Sequence, residues 1–157
     1  MHSKYGIKDL DPISKFTSYQ VHRNRLDRTI TLHQSSYINE VLKLSNMIDA
    51  VAISNLPTSI NFLSKSQSPT TIADKQFMSL VPYSVIVGAL LHISGRTRPE
   101  LSHSVSIVAR FSSNPGILHW NAVKSILRYL KGTINYGLVL GGHEHLRLVG
   151  YIDANFA

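Results

Sequence analysis

The sequence has no cysteine, so it can build neither a disulfide framework nor a thiolate metal site. It is also short of acid: nine Asp and Glu face sixteen Lys and Arg, a formal net charge of +7. That balance makes a polyanion the natural large partner, although an ordinary basic soluble domain has the same composition. Long apolar runs are missing too. The richest, Leu80 to Ile93, is broken by Pro82 and Ser84. It falls short of the roughly 20 residues a bilayer helix needs and reads as a buried helix. The first fifteen residues carry no apolar run of the secretory kind. The expectation is an intracellular protein, cytoplasmic or nuclear, with no membrane partner and no small-molecule substrate.

What is present is globular: 43% of the 157 residues are hydrophobic and 16% charged, enough for one domain or two incomplete ones. Residues 1–15 form a polar lead-in. Over 16–33, Phe16, Tyr19 and Val21 on one arm, and Ile30 and Leu32 on the other, predict a hairpin with a charged turn at Arg23 to Arg28. Gln34 to Leu44 takes helical spacing, with Tyr37, Val41 and Leu44 at i, i+4 and i+7 and Ile38 and Leu42 alongside. Pro57, Pro69 and the surrounding Ser, Thr and Asn predict a loop or linker over 53–81. Helices are expected from Pro82, from Glu100 to Phe111, and along Trp120, Val123, Leu127 and Leu130, with Gly132 ending the last. Gly88 is expected to admit a neighbouring backbone. The tail, 134–157, predicts two strands, Tyr136 to Leu140 and Leu146 to Ile152, around a Gly141-Gly142 turn. The fold class is therefore α+β: an N-terminal hairpin unit (1–52), a linker (53–81), a helical bundle (82–133) and a C-terminal strand pair.

The positive charge is concentrated. Lys124, Arg128 and Lys131 recur at i, i+4 and i+7 and so project from one side of a helix. Such a row can meet successive phosphates and gain from counterion release, or it is an ordinary solvated face. Arg23, Arg25 and Arg28 in the hairpin add to the same candidate surface. His143 and His145 flank Glu144, but two histidines in a Gly-rich turn are a thin ligand set. Trp120 falls on an apolar stripe and reads as core. No serine sits in the context of an activated nucleophile.

These residues also carry a resemblance. Tyr5 to Leu10 resembles the "F-x-M-K-D-L-G" segment of copia-type retrotransposon polymerases. Ile30-Thr31-Leu32-His33-Gln34, Tyr37-Ile38 and Asn46 to Ala50 are similar to "I-x-L-x-Q-x-x-Y-I … F-x-M-x-D-A". Tyr83 to Leu91 with Thr97-Arg98-Pro99-Glu100 resembles "Y-R-S-x-V-G-A-L-x-Y … T-R-P-D". His119 to Lys124 and Leu127 to Thr133 resemble "H-W-x-A-x-K-R-x-L-R-Y-L-K-G-T", and Gly150 to Ala157 resembles "G-Y-S-D-A-D-W-A". The motifs run in order over nearly the whole chain, which a chance match does not do.

The resemblance implies a piece of a Pol polyprotein, from the part of the reverse transcriptase after the palm into the start of RNase H. It implies a primer-gripping hairpin, thumb- or connection-like helices over 82–133 and an RNase H-like beginning at 134–157. It implies template-primer as the partner and Mg²⁺ as the ion of the intact enzyme. Asp153 matches the first RNase H carboxylate, catalytic and metal-holding only in a complete domain. The family's "Y-V-D-D" has no counterpart here, so the chain is expected to be inactive alone and to bind no cofactor. Four departures stand out: Asp11 and Ser18 replace glycines, Thr17 replaces an apolar residue, and His92 replaces a tyrosine. The lost glycines predict strain of about 1 kcal/mol each where φ is positive.

Overall fold

The computed structural model describes residues 12–142 and Gly150. The hairpin forms as its alternation predicts. β2 (Tyr19–Asn24) and β3 (Thr29–His33) pair antiparallel, with Asn24 opposite Thr29 and Gln20 opposite His33. Asn24 shapes the turn, its Oδ1 accepting the N–H groups of Leu26 at 3.0 Å and Asp27 at 3.2 Å. A short β1 (Lys15–Phe16) precedes them and pairs with β2.

The expected tail strand exists as β4 (Gly137–Gly141), and its partner is β3, giving one antiparallel sheet in the order β1-β2-β3-β4. Gly137 makes this possible: a Cβ there would lie 2.3 Å from the Leu32 carbonyl oxygen. The expected strand Leu146 to Ile152 lies outside the described residues, as do the Tyr5 to Leu10 segment and Asp11.

α1 (Ser35–Leu44) buries Ile38, Val41 and Leu42. All three belong to the predicted apolar set, whereas Leu44, expected beside them, is 56% exposed. Residues 53–81 depart further from expectation. They hold two 3₁₀ turns, Thr58–Phe62 and Lys65–Gln67, and a helix, α2 (Ile72–Ser79). The Thr71 hydroxyl caps α2 by accepting the Asp74 N–H at 3.1 Å. Only Met78 of α2 is buried, so no apolar period marks it in the sequence.

α3 (Tyr83–Ser94) follows as predicted; the helix expected over Glu100 to Phe111 forms as a 3₁₀ turn at Pro99–Leu101 and then α4 (Ser102–Ala109), and α5 (Ile117–Gly132) completes the set. α4 packs on α3 and α5, and α1 packs on both as well. The core is made of Ile38, Leu42, Ile86, Leu90, Ile93, Leu101, Val105, Val108, Trp120, Val123, Leu127 and their neighbours, and no strand residue belongs to it. Gly88 does not admit a backbone: a Cβ there would meet nothing within 4 Å. The close approach falls at Gly132 instead, where a Cβ would lie 2.9 Å from the Ile53 carbonyl oxygen. Among the described residues no single helix is long and apolar enough to cross a membrane.

Candidate nucleic-acid interface

The motif residues divide into those that hold the fold together and those left facing solvent. Gln34, at the start of α1, is fully buried. Its Nε2 donates to the Ser18 hydroxyl at 2.9 Å, and its Oε1 accepts from the Thr97 hydroxyl at 2.8 Å. Ser18 shares a further hydrogen bond of 2.9 Å with His92 Nε2, and His92 meets the edge of Tyr37 at 5.4 Å between centroids. One polar chain, Thr97–Gln34–Ser18–His92, therefore ties the sheet to α1 and α3.

Among the described residues Arg98 is the most deeply buried cation, 1% exposed. Its guanidinium donates to Glu100 at 2.6 Å, to the Thr133 carbonyl at 3.0 Å and to the Thr133 hydroxyl at 2.5 Å. Its Cζ lies 5.6 Å from the Tyr129 ring centroid and 5.5 Å from that of Tyr136. The "T-R-P-E" and "K-G-T" stretches thus meet around one buried guanidinium, with Glu100 itself exposed, a role that a charge count does not reveal. It removes Arg98 from the pool of surface cations.

His119 is likewise structural. Its Nδ1 accepts the Gly116 N–H at 2.8 Å, which makes Nε2 the protonated nitrogen, and Nε2 donates to the Ser64 carbonyl at 3.0 Å. The ring stacks on Phe111 at 4.0 Å. Burial lowers its pKa from the ordinary imidazole value, and the bond to Ser64 opposes this in part. Trp120 is core, as its position on the stripe predicts. The Tyr83 hydroxyl donates to the Val108 carbonyl at 2.9 Å, and burial pushes its pKa upward.

The basic row on α5 does not stand free. Arg128 Nε donates to the Val51 carbonyl at 2.6 Å. Lys131 Nζ donates to the carbonyls of Ile48 at 2.5 Å and Ala50 at 2.8 Å. Both side chains strap residues 48–53 onto α5, reinforced by the Ile53 N–H donating to the Arg128 carbonyl at 3.3 Å. Lys124 makes no hydrogen bond or ion pair among the described residues, and it is half-buried.

The hairpin arginines are arranged differently. Arg23, Arg25 and Arg28 are all exposed and line one recess of about 230 Å³ with Asn24 and Thr29. The acid nearest in sequence, Asp27, is held by the Asn24 amide at 2.5 Å. Arg28 has a φ of +54°, which turns the chain back into β3. Asp153, His143 and His145 lie outside the described residues. Among the described residues no three His, Asp or Glu side chains converge.

Comparison with known proteins gives this arrangement its setting: along its whole length the chain is homologous to a segment of retrovirus-related Pol polyproteins from transposons. It is 41% identical over 157 residues to the Pol polyprotein from transposon TNT 1-94 of Nicotiana tabacum, and covers 12% of that protein. It is 31% identical over 157 residues to the Pol polyprotein from transposon RE1 of Arabidopsis thaliana, covering 10% of it. An uncharacterized mitochondrial protein of Arabidopsis thaliana is 27% identical over 158 residues, and the chain covers 61% of it. The chain thus spans an eighth or less of the Pol polyproteins it matches. No protein-family profile matches it. No solved structure matches it either.

Proposed function

We propose that this chain is the post-palm segment of a retrotransposon reverse transcriptase, running into RNase H, and that alone it binds nucleic acid without polymerising it. The observation that carries this reading is the ordered run of copia-type motifs along a chain 41% identical over all 157 residues to a transposon Pol polyprotein. The sequence has no adjacent aspartate pair to hold two metal ions. Magnesium therefore enters only through the intact enzyme, with Asp153 as the matching carboxylate.

The nucleic-acid contact is assigned to the hairpin tip. Three exposed arginines around one recess can meet phosphate oxygens with forked donors. The α5 face is the second reading, but Arg128 and Lys131 already spend donors on carbonyls of the 48–51 strap. A polyanion bound there has to compete with those bonds.

The test uses the purified chain with labelled duplex. Binding should weaken steeply with salt and show little sequence preference. With primer-template, Mg²⁺ and nucleotides, no primer extension should occur. Salt-independent binding or measurable extension contradicts the reading.

A further inference from the structure

Away from the sheet, a second basic recess lies where the 64–68 turn meets the end of α4 and the start of α5. It holds about 300 Å³ and is lined by Lys65, Ser68, Arg110, Phe111, Ser113 and Asn114. Its two walls are distant in sequence and clamped together. The Ser68 hydroxyl donates to the Asn114 carbonyl at 3.0 Å. His119 spans the same gap, accepting the Gly116 N–H at 2.8 Å and donating to the Ser64 carbonyl at 3.0 Å. Gly116 is pressed so closely on the Gln67 carbonyl that a Cβ would not fit there. The floor is Phe111, 7% exposed and stacked on the His119 ring. The recess is therefore built into the helical unit.

Its polar groups are donors without acceptors. Among the described residues, the side chains of Lys65, Arg110, Ser113 and Asn114 make no hydrogen bond or ion pair. Both cations are exposed, and no acid lines the recess. Two like charges in one recess repel each other, and an anion between them turns that repulsion into attraction. Chloride brings one charge and no direction, and a carboxylate one charge and two oxygens. A phosphate dianion brings nearly two charges and three acceptor oxygens. That set can meet a guanidinium fork, an ammonium and a neutral donor together. A phosphodiester of a nucleic-acid backbone carries only one charge.

We propose that this recess binds a small phosphate dianion, either inorganic phosphate or the terminal group of a mononucleotide. Arg110 and Lys65 are its charge partners, and Ser113 and Asn114 complete the donor set. The site shares no residue with the hairpin recess and does not rest on the nucleic-acid reading.

The full chain is titrated with inorganic phosphate, AMP and dimethyl phosphate at mildly alkaline pH, by calorimetry and by thermal unfolding. Chloride holds the ionic strength constant. Phosphate and AMP should bind, and at about ten times its Kd each should raise the unfolding midpoint by about 3 °C over chloride. Dimethyl phosphate, a singly charged stand-in for the nucleic-acid backbone, should bind about tenfold more weakly or less. Equal affinity for phosphate and AMP identifies the free anion as the ligand, and tighter AMP identifies a nucleotide. Lys65→Gln and Arg110→Gln should each weaken phosphate binding about fivefold or more, and together should abolish the midpoint shift. Far-ultraviolet circular dichroism checks that each variant is folded, and Lys65→Gln alone decides if the double variant is not. Changing Arg23, Arg25 and Arg28 to Gln should leave phosphate binding intact, which separates this site from the hairpin. Phosphate and AMP no better than chloride, or an affinity unchanged in the double variant, overturns the site and leaves the hairpin reading standing. Dimethyl phosphate binding as tightly as phosphate overturns it too. If wild type binds no phosphate but the double variant loses salt slope on duplex, the recess belongs to the nucleic-acid backbone and the proposal fails.

Discussion

His92 Nε2 lies 2.9 Å from the Ser18 hydroxyl, and both residues stand where the chain departs from the copia-type pattern. Glycine and tyrosine are replaced by serine and histidine, and the replacements touch. The pair links β1–β2 to α3 and continues through Gln34 to Thr97. Removing Ser18 leaves the Gln34 amide and the His92 ring short of a partner in a half-buried setting. A double-mutant cycle with Ser18→Ala and His92→Phe should give a coupling of about 0.5–1 kcal/mol, read from urea unfolding. Additive losses would mean that the contact contributes nothing.

The strain expected from the lost glycine is displaced by one residue. The positive φ, +53°, falls on Thr17 rather than Ser18, and Thr17 is exposed. A β-branched residue is poorly suited to that conformation. Thr17→Gly should stabilise the fold by about 0.5–1 kcal/mol, net of the greater entropy of unfolded glycine. Thermal unfolding checks this, and a lower midpoint would contradict it.

Arg98 should not tolerate its nearest chemical substitute. Lysine keeps the charge but cannot reach Glu100 and both Thr133 oxygens at once, nor lie flat between Tyr129 and Tyr136. Arg98→Lys should cost roughly 2–4 kcal/mol, because a buried charge keeps its desolvation cost while losing partners. A loss below about 1 kcal/mol, the range of an exposed pair, would refute the site's structural role.

His119 gives stability a pH dependence whose sign follows from its lowered pKa. Below the ordinary imidazole pKa near 6.5 the unfolded chain takes up a proton that the folded chain resists. Its contribution is therefore complete above that value and declines as pH falls beneath it. His119→Gln should be less stable at neutral pH and should flatten the decline of stability between neutral and mildly acidic pH. An unchanged slope would show that the Gly116–His119–Ser64 bridge is not what titrates.

The parts of this fold that rest on period were legible in the sequence. The hairpin alternates cleanly between Tyr19 and Leu32, and α3 and α5 repeat their apolar residues over three turns or more. α2 was not legible, since one buried methionine makes no pattern and its start depends on the Thr71 cap. The site was legible by residue type and not by use. Spacing puts Lys124, Arg128 and Lys131 on one helix face but cannot say that carbonyls of residues 48–51 lie across it. Nor does a charge count reveal that Arg98 is buried.

Which cations meet phosphate decides between the hairpin and the α5 face. The direct measurement compares the salt dependence of nucleic-acid binding in two variants: Arg23→Gln with Arg25→Gln and Arg28→Gln, and Arg128→Gln with Lys131→Met. The hairpin variant should lose about three phosphate contacts' worth of slope with its stability unchanged. The helix variant should keep its slope and unfold at lower temperature. The reverse outcome, an unchanged slope at the hairpin and a reduced one at the helix, would contradict the assignment.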